Sequence, residues 1–444
     1  MSCDDPNVSP GANSRIVGAL GCDRDPTLDP AAAYSSLLMR LLHTSDWHLG
    51  RTFHGASLLD EQALAIDRIV EMVSDGSIEL VVVAGDLYDR AFPPAEAVNL
   101  FDDAIARLRS TGAMVVAISG NHDSSIRIGV YDRIMTATGV TIRGDITRAN
   151  QPVVIATADS GPPVAVYPLP YLDPTLAGPL LLPKPDPDLP SGEGGSGIDG
   201  NARRRLHHDE VTRLAIDRIR TDLAGRNGAR SVVVAHTFVE GGITCESERE
   251  LTLGNIEKVG IDAFAGFEYV ALGHLHGTQE RDGVRVAYSG SPLPYSFSEE
   301  DHTKSVRVVE VGPDGTLTVE VVALGVGRQL RTIEGTLDDL LHSAQFTEAE
   351  PARVRAFLTD PHLPMQAMAR LHARFPYAVE LRHHPALADN EGRDTATLSS
   401  ADSAVAPHEL TLRFWADQHG ADADPAEDEL LRAALTAAAR DRER

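Results

Sequence analysis

Leu42-His43-Thr44-Ser45-Asp46-Trp47-His48-Leu49-Gly50 is the stretch whose reading decides the fold. An apolar run from Leu38 to Leu42 stops abruptly in Asp-x-His. On a strand, residues i and i+2 share a face, so Asp46 and His48 point together into one cavity. A carboxylate beside an imidazole is the beginning of a site for a divalent ion of intermediate hardness. A lone pair of this kind more often serves a turn or a hydrogen bond. Four further segments, spread over more than two hundred residues, end in the same way.

Outward from this stretch, Leu59, Ile66, Ile69, Val70 and Val73 form a helical stripe closed by Gly76. Glu79 to Ala84 is a continuous apolar run of strand length, as in a sheet covered on both faces, and it ends in Gly85-Asp86-Leu87-Tyr88-Asp89. A second helix follows, with Val98, Phe101, Ile105 and Leu108 on one face. Met114 to Ile118 is another buried strand, ending in Gly120-Asn121-His122-Asp123. Ser231 to Ala235 runs into His236, and Tyr269 to Leu272 into Gly273-His274-Leu275-His276. Strand alternating with helix implies right-handed crossovers and an α/β layered domain. In such sheets ligands gather at the carboxyl ends of the strands, where these polar clusters fall.

Asp46, His48, Asp86, Asn121, His236, His274 and His276 together offer two carboxylates, four imidazoles and an amide oxygen. That set is too large for one ion and suits two. Two divalent ions sharing one carboxylate form a clamp for in-line displacement at phosphorus. Mixed nitrogen and oxygen ligands favour a Mn- or Fe-like ion over Mg. His122 points differently from Asn121 and is free to stabilise the transition state or protonate the leaving oxygen. His54, on the loop after Gly50, is a second catalytic candidate, balanced against an exposed loop histidine.

The flanking regions read differently. Residues 1–38 are rich in Asp, Pro, Gly, Ser and Ala and lack apolar periodicity, which predicts a disordered extension with Met39 as the functional start. Residues 173–205 predict a flexible surface insertion ending in Arg203-Arg204-Arg205. Between 140 and 172, Val153 to Ala156 and Val164 to Tyr167 read as strands, and a helix is expected at about 207–224. Val284 to Tyr288, Ser305 to Val311 and Leu317 to Ala323 look like antiparallel strands, with Pro313-Asp314-Gly315 as a turn. The domain limits expected are a catalytic domain over 39–325, a small mixed module over 326–385, a polar linker over 386–406 and a C-terminal segment over 407–444. Asp424-Pro425-Ala426-Glu427 announces a terminal helix there, with Phe414 and Trp415 upstream.

A net charge of −25 argues against a passive grip on a phosphate backbone, which needs clustered Lys and Arg. Three scattered cysteines, Cys3, Cys22 and Cys245, cannot form a disulfide framework and suit a reducing cytoplasm. No apolar window is long enough to span a membrane, and no secretory signal is visible at the N-terminus.

Asp46-x-His48, Gly85-Asp86-x-x-Asp89, Gly120-Asn121-His122-Asp123, His236 and Gly273-His274-x-His276 together resemble the calcineurin-like metallophosphoesterase signature. Within that superfamily, His43 to Arg51, Ser247-Glu248-Arg249, Gly273 to Gly277 and Tyr288-Ser289-Gly290-Ser291-Pro292 resemble the SbcD family of nuclease subunits, from about Met39 to Phe297 and more loosely beyond. The resemblance implies a four-layer α/β/β/α metallophosphoesterase sandwich with a small α+β capping domain and a C-terminal helical tail. Asp46, His48, Asp86 and His276 would hold one Mn ion. Asp86 would bridge to a second, held by Asn121, His236 and His274, and His122 would be the catalytic histidine. The implied activities are 3′→5′ exonucleolysis of duplex ends, dependent on ATP through an SbcC-type ABC ATPase with a coiled coil, and endonucleolysis of single strands and hairpins. It further implies a heterotetramer of two nucleases and two ATPases, bound to the C-terminal segment, in DNA repair, recombination and replication in the cytoplasm at the nucleoid. The extension at 1–38, the long loop at 173–205 and the linker at 386–406 depart from the family pattern. A phosphodiesterase or phosphatase for a small molecule is the competing enzyme class, and a scaffold using metal only to recognise DNA ends is the competing binding class.

Overall fold

The continuous apolar runs become the inner strands of two facing sheets, in a computed structural model that describes residues 38–156, 161–182, 206–251, 258–385, 407–419 and 422–442. The expected extension at 1–38, apart from Leu38, the arginine triplet and the linker at 386–406 lie outside the described residues. The chain runs β1 (Met39–Thr44), α1 (Leu59–Asp75), β2 (Leu80–Val83), α2 (Ala95–Ser110), β3 (Met114–Ile118) and β4 (Val140–Arg143). It continues through β5 (Val153–Ile155), β6 (Val164–Leu169), α3 (Pro174–Leu181), α4 (His208–Ala224), β7 (Arg230–His236) and β8 (Tyr269–Gly273). Next come β9 (Gln279–Asp282), β10 (Val286–Tyr288), β11 (Ser305–Val311) and β12 (Leu317–Ala323).

The first sheet has the order β12-β11-β1-β2-β3-β4 and the second β9-β10-β8-β7-β6-β5. In the first, β1 to β4 are parallel, and β11 adds antiparallel to β1 with Leu42 opposite Val308. In the second, β6, β7, β8 and β10 are parallel. The space between the sheets is filled by Leu41, Leu80, Val82, Val116, Val166, Val232, Val234, Ala271 and Val309, all buried. The outer face of the first sheet packs on α1 and α2 through Ile66, Ile69, Phe101 and Leu108. That of the second packs on α4 through Val211, Ala215, Ile216 and Ile219. The result is the expected α/β/β/α sandwich, with polar strand ends of both sheets on one rim.

Three elements differ from the sequence reading. The segment from Val286 to Tyr288 runs parallel to β8 and is antiparallel only to β9. Residues 174–181 form helix α3 inside the expected loop, because Asp173 accepts from the Thr175 amide as an N-cap and Pro174 occupies the first turn. Val98 is exposed rather than part of the buried face of α2.

Downstream, β13 (Leu330–Gly335), α5 (Leu337–His342), β14 (Arg353–Leu358), α6 (Ala367–Leu371) and β15 (Ala378–His383) build a three-stranded parallel sheet. It has its own core of Ile333, Leu340, Val354, Ala356, Leu358, Leu371 and Phe375. Glu61 of α1 ties this module to the sandwich by ion pairs with Arg328 at 2.8 Å and Arg353 at 2.7 Å. A satellite cluster of Phe53, Leu58, Leu293, Tyr295, Phe297 and Leu330 fills the junction. Separately, α7 (Pro407–His419) and α8 (Pro425–Arg442) belong to a second compact unit, where His408 meets Asp428 at 2.6 Å.

Candidate metal centre

The polar clusters at Asp46, Asp86 and His274 begin just past the ends of their strands, where the backbone is bent out of the ordinary regions. Asp46 (φ 53°), His48 (φ 44°), Asp86 (φ 50°) and His274 (φ 109°) all have positive φ, costly for residues with a Cβ. Neighbouring bonds hold these conformations in place. Asp46 N donates to Gly85 O at 3.0 Å, His48 N to Asp86 O at 2.9 Å and Leu49 N to Leu87 O at 3.0 Å, so the loops after β1 and β2 are zipped together. Strain of this kind persists only where surrounding structure over-determines it, and it concentrates at functional sites.

The two sheets meet closely here. A Cβ on Gly85 would collide with the His236 ring, and one on Gly273 with the Ala84 carbonyl. The Asp46 carboxylate reaches across the gap and accepts from the His274 amide, with Oδ1 at 3.0 Å. Asp46, His48, Asp86, His236 and His276 are nearly inaccessible, with relative exposures of 0 to 3%.

Ligand atoms converge in three overlapping groups, Asp46 with His48 and His276, His48 with Asp86 and His122, and Asp46 with Asp86 and His236. His48 Nε2 lies 3.2 Å from His276 Nε2 and 3.5 Å from Asp86 Oδ2. His236 Nε2 lies 3.4 Å from Asp86 Oδ2 and 2.9 Å from Asn121 Oδ1, and His274 Nδ1 is 3.1 Å from the same amide oxygen. Asp86 is thus common to both halves, and Asn121, His236 and His274 stand together on one side. All seven ligand candidates fall in one cluster.

The donor set fits cations. His236 Nδ1 donates to the Ala84 carbonyl at 2.8 Å, so Nε2 of the neutral ring is a bare acceptor, yet it faces oxygens of Asn121 and Asp86. His48 Nδ1 and Asn121 Nδ2 are buried without a hydrogen-bond partner. Acceptors aimed at acceptors require either a cation or a proton between them. For His236, burial works against the charged ring, but the Asp86 and Asp46 carboxylates outweigh it and hold the imidazole up at about 9. Burial drives His274 down to about 3, with the neighbouring His236 charge acting in the same direction. Asp86 shows the reverse balance, since burial opposes ionisation while His236 and His48 hold its carboxyl well below the usual range.

His122 stands at the edge of the cluster, half-buried, its ring edge-on to His48 at 4.7 Å. Its amide donates to Asp86 Oδ1 at 2.9 Å, and Nδ1 donates to Asp89 O at 2.9 Å, which leaves Nε2 for proton transfer. His54 lies elsewhere. It stands on the short hairpin after Arg51, 3.7 Å from Glu380 of the small module and against Phe297, outside the three groups.

Several supporting residues escape a strand-end reading. Asp123 accepts from the Gly120, Leu87 and Tyr88 amides at 2.9, 3.0 and 3.0 Å, joining the loops after β2 and β3, and burial with the Asp86 charge pushes its carboxyl up to about 6. Gln62 of α1 donates to His48 O at 2.8 Å, and Tyr295 Oη to Trp47 O at 2.7 Å. Glu299, in a serine- and glutamate-rich turn, reaches the far side of His276. Asp89 and Asp123 are at least flagged by glycine-bearing motifs, whereas nothing local in the sequence marks Gln62 or Glu299.

The sequence model of the calcineurin-like phosphoesterase family matches residues 39–277, more than half of the chain. Among solved structures, the chain is similar to TT1561 of Thermus thermophilus, at 12% identity over 64% of this chain and 99% of that one, with a TM-score of 0.34. It is also similar to GAP50, the anchor in the inner membrane complex of Plasmodium, at 11% identity over 79% of this chain and 98% of that one, with a TM-score of 0.35. A dimetal phosphatase from Danio rerio shares 12% identity over 65% of this chain and 99% of its own, with a TM-score of 0.32. Among the described residues, no helix is long and apolar enough to cross a membrane.

Proposed function

We propose, from the premise that this chain belongs to the calcineurin-like phosphoesterase family and is a metal-dependent phosphoesterase, that its substrate is DNA and that it is an SbcD-type nuclease subunit. Metallophosphoesterases use two divalent ions, and in this reading both are Mn. Asp46, His48, Asp86 and His276 would hold one, and Asp86, Asn121, His236 and His274 would hold the other. Bound there, such ions would supply charge neutralisation at the phosphodiester oxygens and a water of lowered pKa. The chain's own groups do the rest. His122 keeps its Nδ1 hydrogen on Asp89 O, and in its imidazolium form would give the Nε2 proton to the leaving oxygen and be left as the neutral ring.

The observation that carries the DNA reading is where the residues beyond the general family signature sit. Ser247 Oγ is 2.7 Å from His276 Nδ1, and Glu248 accepts from the His276 amide. Ser289 Oγ is 2.8 Å from Ser45 Oγ, which itself donates to Asp46 Oδ2 at 2.6 Å, and Ser291 N donates to His276 O at 3.1 Å. Residues that resemble the nuclease subunits specifically are therefore built around the candidate ligands. The net charge of −25 fits a subunit whose grip on duplex comes from an SbcC-type ATPase. The segment 407–444, whose helices expose Phe414 and Leu430, is the proposed dock for that ATPase's coiled coil.

The test is cleavage of end-labelled blunt duplex and single-stranded DNA by purified protein with Mn, alone and with the partner ATPase plus ATP. Single-strand nicking by the protein alone and duplex degradation only with partner and ATP are expected. His122→Ala should lower both by about 10²- to 10⁴-fold. Hydrolysis of small phosphodiesters with no DNA cleavage in any mixture would select the small-molecule branch of the family instead.

A further inference from the structure

Among the described residues, His276 has its non-ligating nitrogen within hydrogen-bond distance of a side-chain hydroxyl. Its Nδ1 lies 2.7 Å from Ser247 Oγ, and Ser247 Oγ lies 2.7 Å from Glu299 Oε1. Glu299 is buried and is approached by Lys304 Nζ at 2.5 Å, by the Tyr295 amide at 3.2 Å and by Ser296 Oγ at 3.2 Å. The ion pair with Lys304 Nζ at Oε2 and the Tyr295 amide donating to Oε1 both treat Glu299 as a carboxylate acceptor. An ionised carboxylate can only accept, so the Ser247 hydroxyl proton points at Glu299. The hydroxyl's lone pair is then left for His276, and Nδ1 must carry the hydrogen. The chain of donors therefore leaves Nε2 as the bare nitrogen, and Nε2 is the atom that faces His48 across 3.2 Å.

The rest of the surroundings locks the same residue. Glu248 accepts from both the His276 and Cys245 amides, so the 245–248 loop that delivers Ser247 is pinned to the ligand it serves. Lys304 Nζ also donates to His276 O at 2.9 Å and to Ser291 Oγ at 2.9 Å, using all three of its hydrogens on this assembly. Backbone, ring and tautomer of His276 are thus fixed from three directions.

We propose that Ser247 and Glu299 are positioning residues that hold His276 in its Nδ1-protonated tautomer and thereby set the affinity of one of the two ion positions. Groups of this kind orient metal-bound histidines and raise their basicity, and their removal costs about 10- to 100-fold in metal affinity. This rests on His276 being an ion ligand and is independent of whether the substrate is DNA.

Calorimetric titration of Mn²⁺ into the metal-free full chain tests it, with the metal-free thermal midpoint recorded alongside. Ser247→Ala should weaken one Mn²⁺ affinity by about 10- to 100-fold, leaving the other affinity and the midpoint unchanged. Ser247→Thr, which restores the hydroxyl, should recover the lost affinity. Unaltered affinities in Ser247→Ala would overturn the proposal, as would a fall in both affinities together with the midpoint, which marks a merely structural serine. His276→Ala separates the two levels of the argument. Loss of one ion there with Ser247→Ala silent defeats the relay alone, whereas retention of both ions in His276→Ala defeats the ligand assignment beneath it.

Discussion

The middle of the space between the sheets and its rim each bury histidines, and they treat them in opposite ways. His43, in the middle, is as inaccessible as His48 five residues later. Its Nε2 donates to Leu272 O at 3.1 Å and its Nδ1 accepts from Tyr269 Oη at 2.9 Å, so the neutral ring is complete. His48 has one nitrogen without a hydrogen-bond partner and the other facing His276. Around His43 lie Tyr269, Leu272 and Arg307, while around His48 lie the Asp46 and Asp86 carboxylates and the His122 and His276 imidazoles. Burial alone therefore does not distinguish a structural histidine from a ligand. The distinction is whether the donors and acceptors around it balance.

The comparison can be broken most severely at the rim. Asp86→Asn keeps the shape but removes the charge shared by both halves of the cluster, and phosphodiester turnover should fall by about 10³-fold or more. Steady-state kinetics at saturating Mn measures this, and a loss of less than tenfold would remove Asp86 from its bridging role. A smaller effect, on stability, is expected from Gly273→Ala. The new methyl group meets the Ala84 carbonyl, which belongs to the opposite sheet, so the rim must open. A cost of about 1–3 kcal/mol in urea unfolding of the metal-free protein is expected. An unchanged midpoint would show that the rim has slack the structure does not suggest.

The subtlest test is in the middle. Burial, helped by the Arg307 charge, depresses His43 to about 3, below the ordinary 6.5. Because the unfolded chain then binds the proton more readily, His43 contributes stability above pH 6.5 that is progressively lost as pH falls toward 3. The slope is about 1.4 kcal/mol per pH unit. His43→Gln, which can still bond Tyr269 and Leu272, should flatten the difference in stability between pH 6.5 and 4 by up to that slope. Urea titrations of both proteins across this range measure it, and parallel acid limbs would assign the acid sensitivity elsewhere.

How far each region was legible follows from the range of the forces involved. The alternation β1-α1-β2-α2-β3 could be read because parallel strands covered on both faces must be continuous apolar runs and their crossover helices must be amphipathic. All seven candidate ligands could be named because each follows such a run. The long-range choices were not legible. Hairpin β11-β12 returns across about 260 residues of chain to lie beside β1, and Val286 to Tyr288, only three residues long, carries no local mark of parallel pairing. His54 could be placed on a loop, but its position beside Glu380 depends on where the small module docks.

The sequence by itself determined the chemistry available to this protein, because local apolar periodicity places strand ends and the residues there declare carboxylate, amide or imidazole. Only the tertiary structure decided which nitrogens stay bare. That outcome depends on partners distant in sequence, such as Ala84 for His236, Ser247 and Glu299 for His276, and Tyr269 for His43. A hydrogen bond is specified by a contact of about 3 Å, which no pattern along the chain encodes until the two sheets have closed.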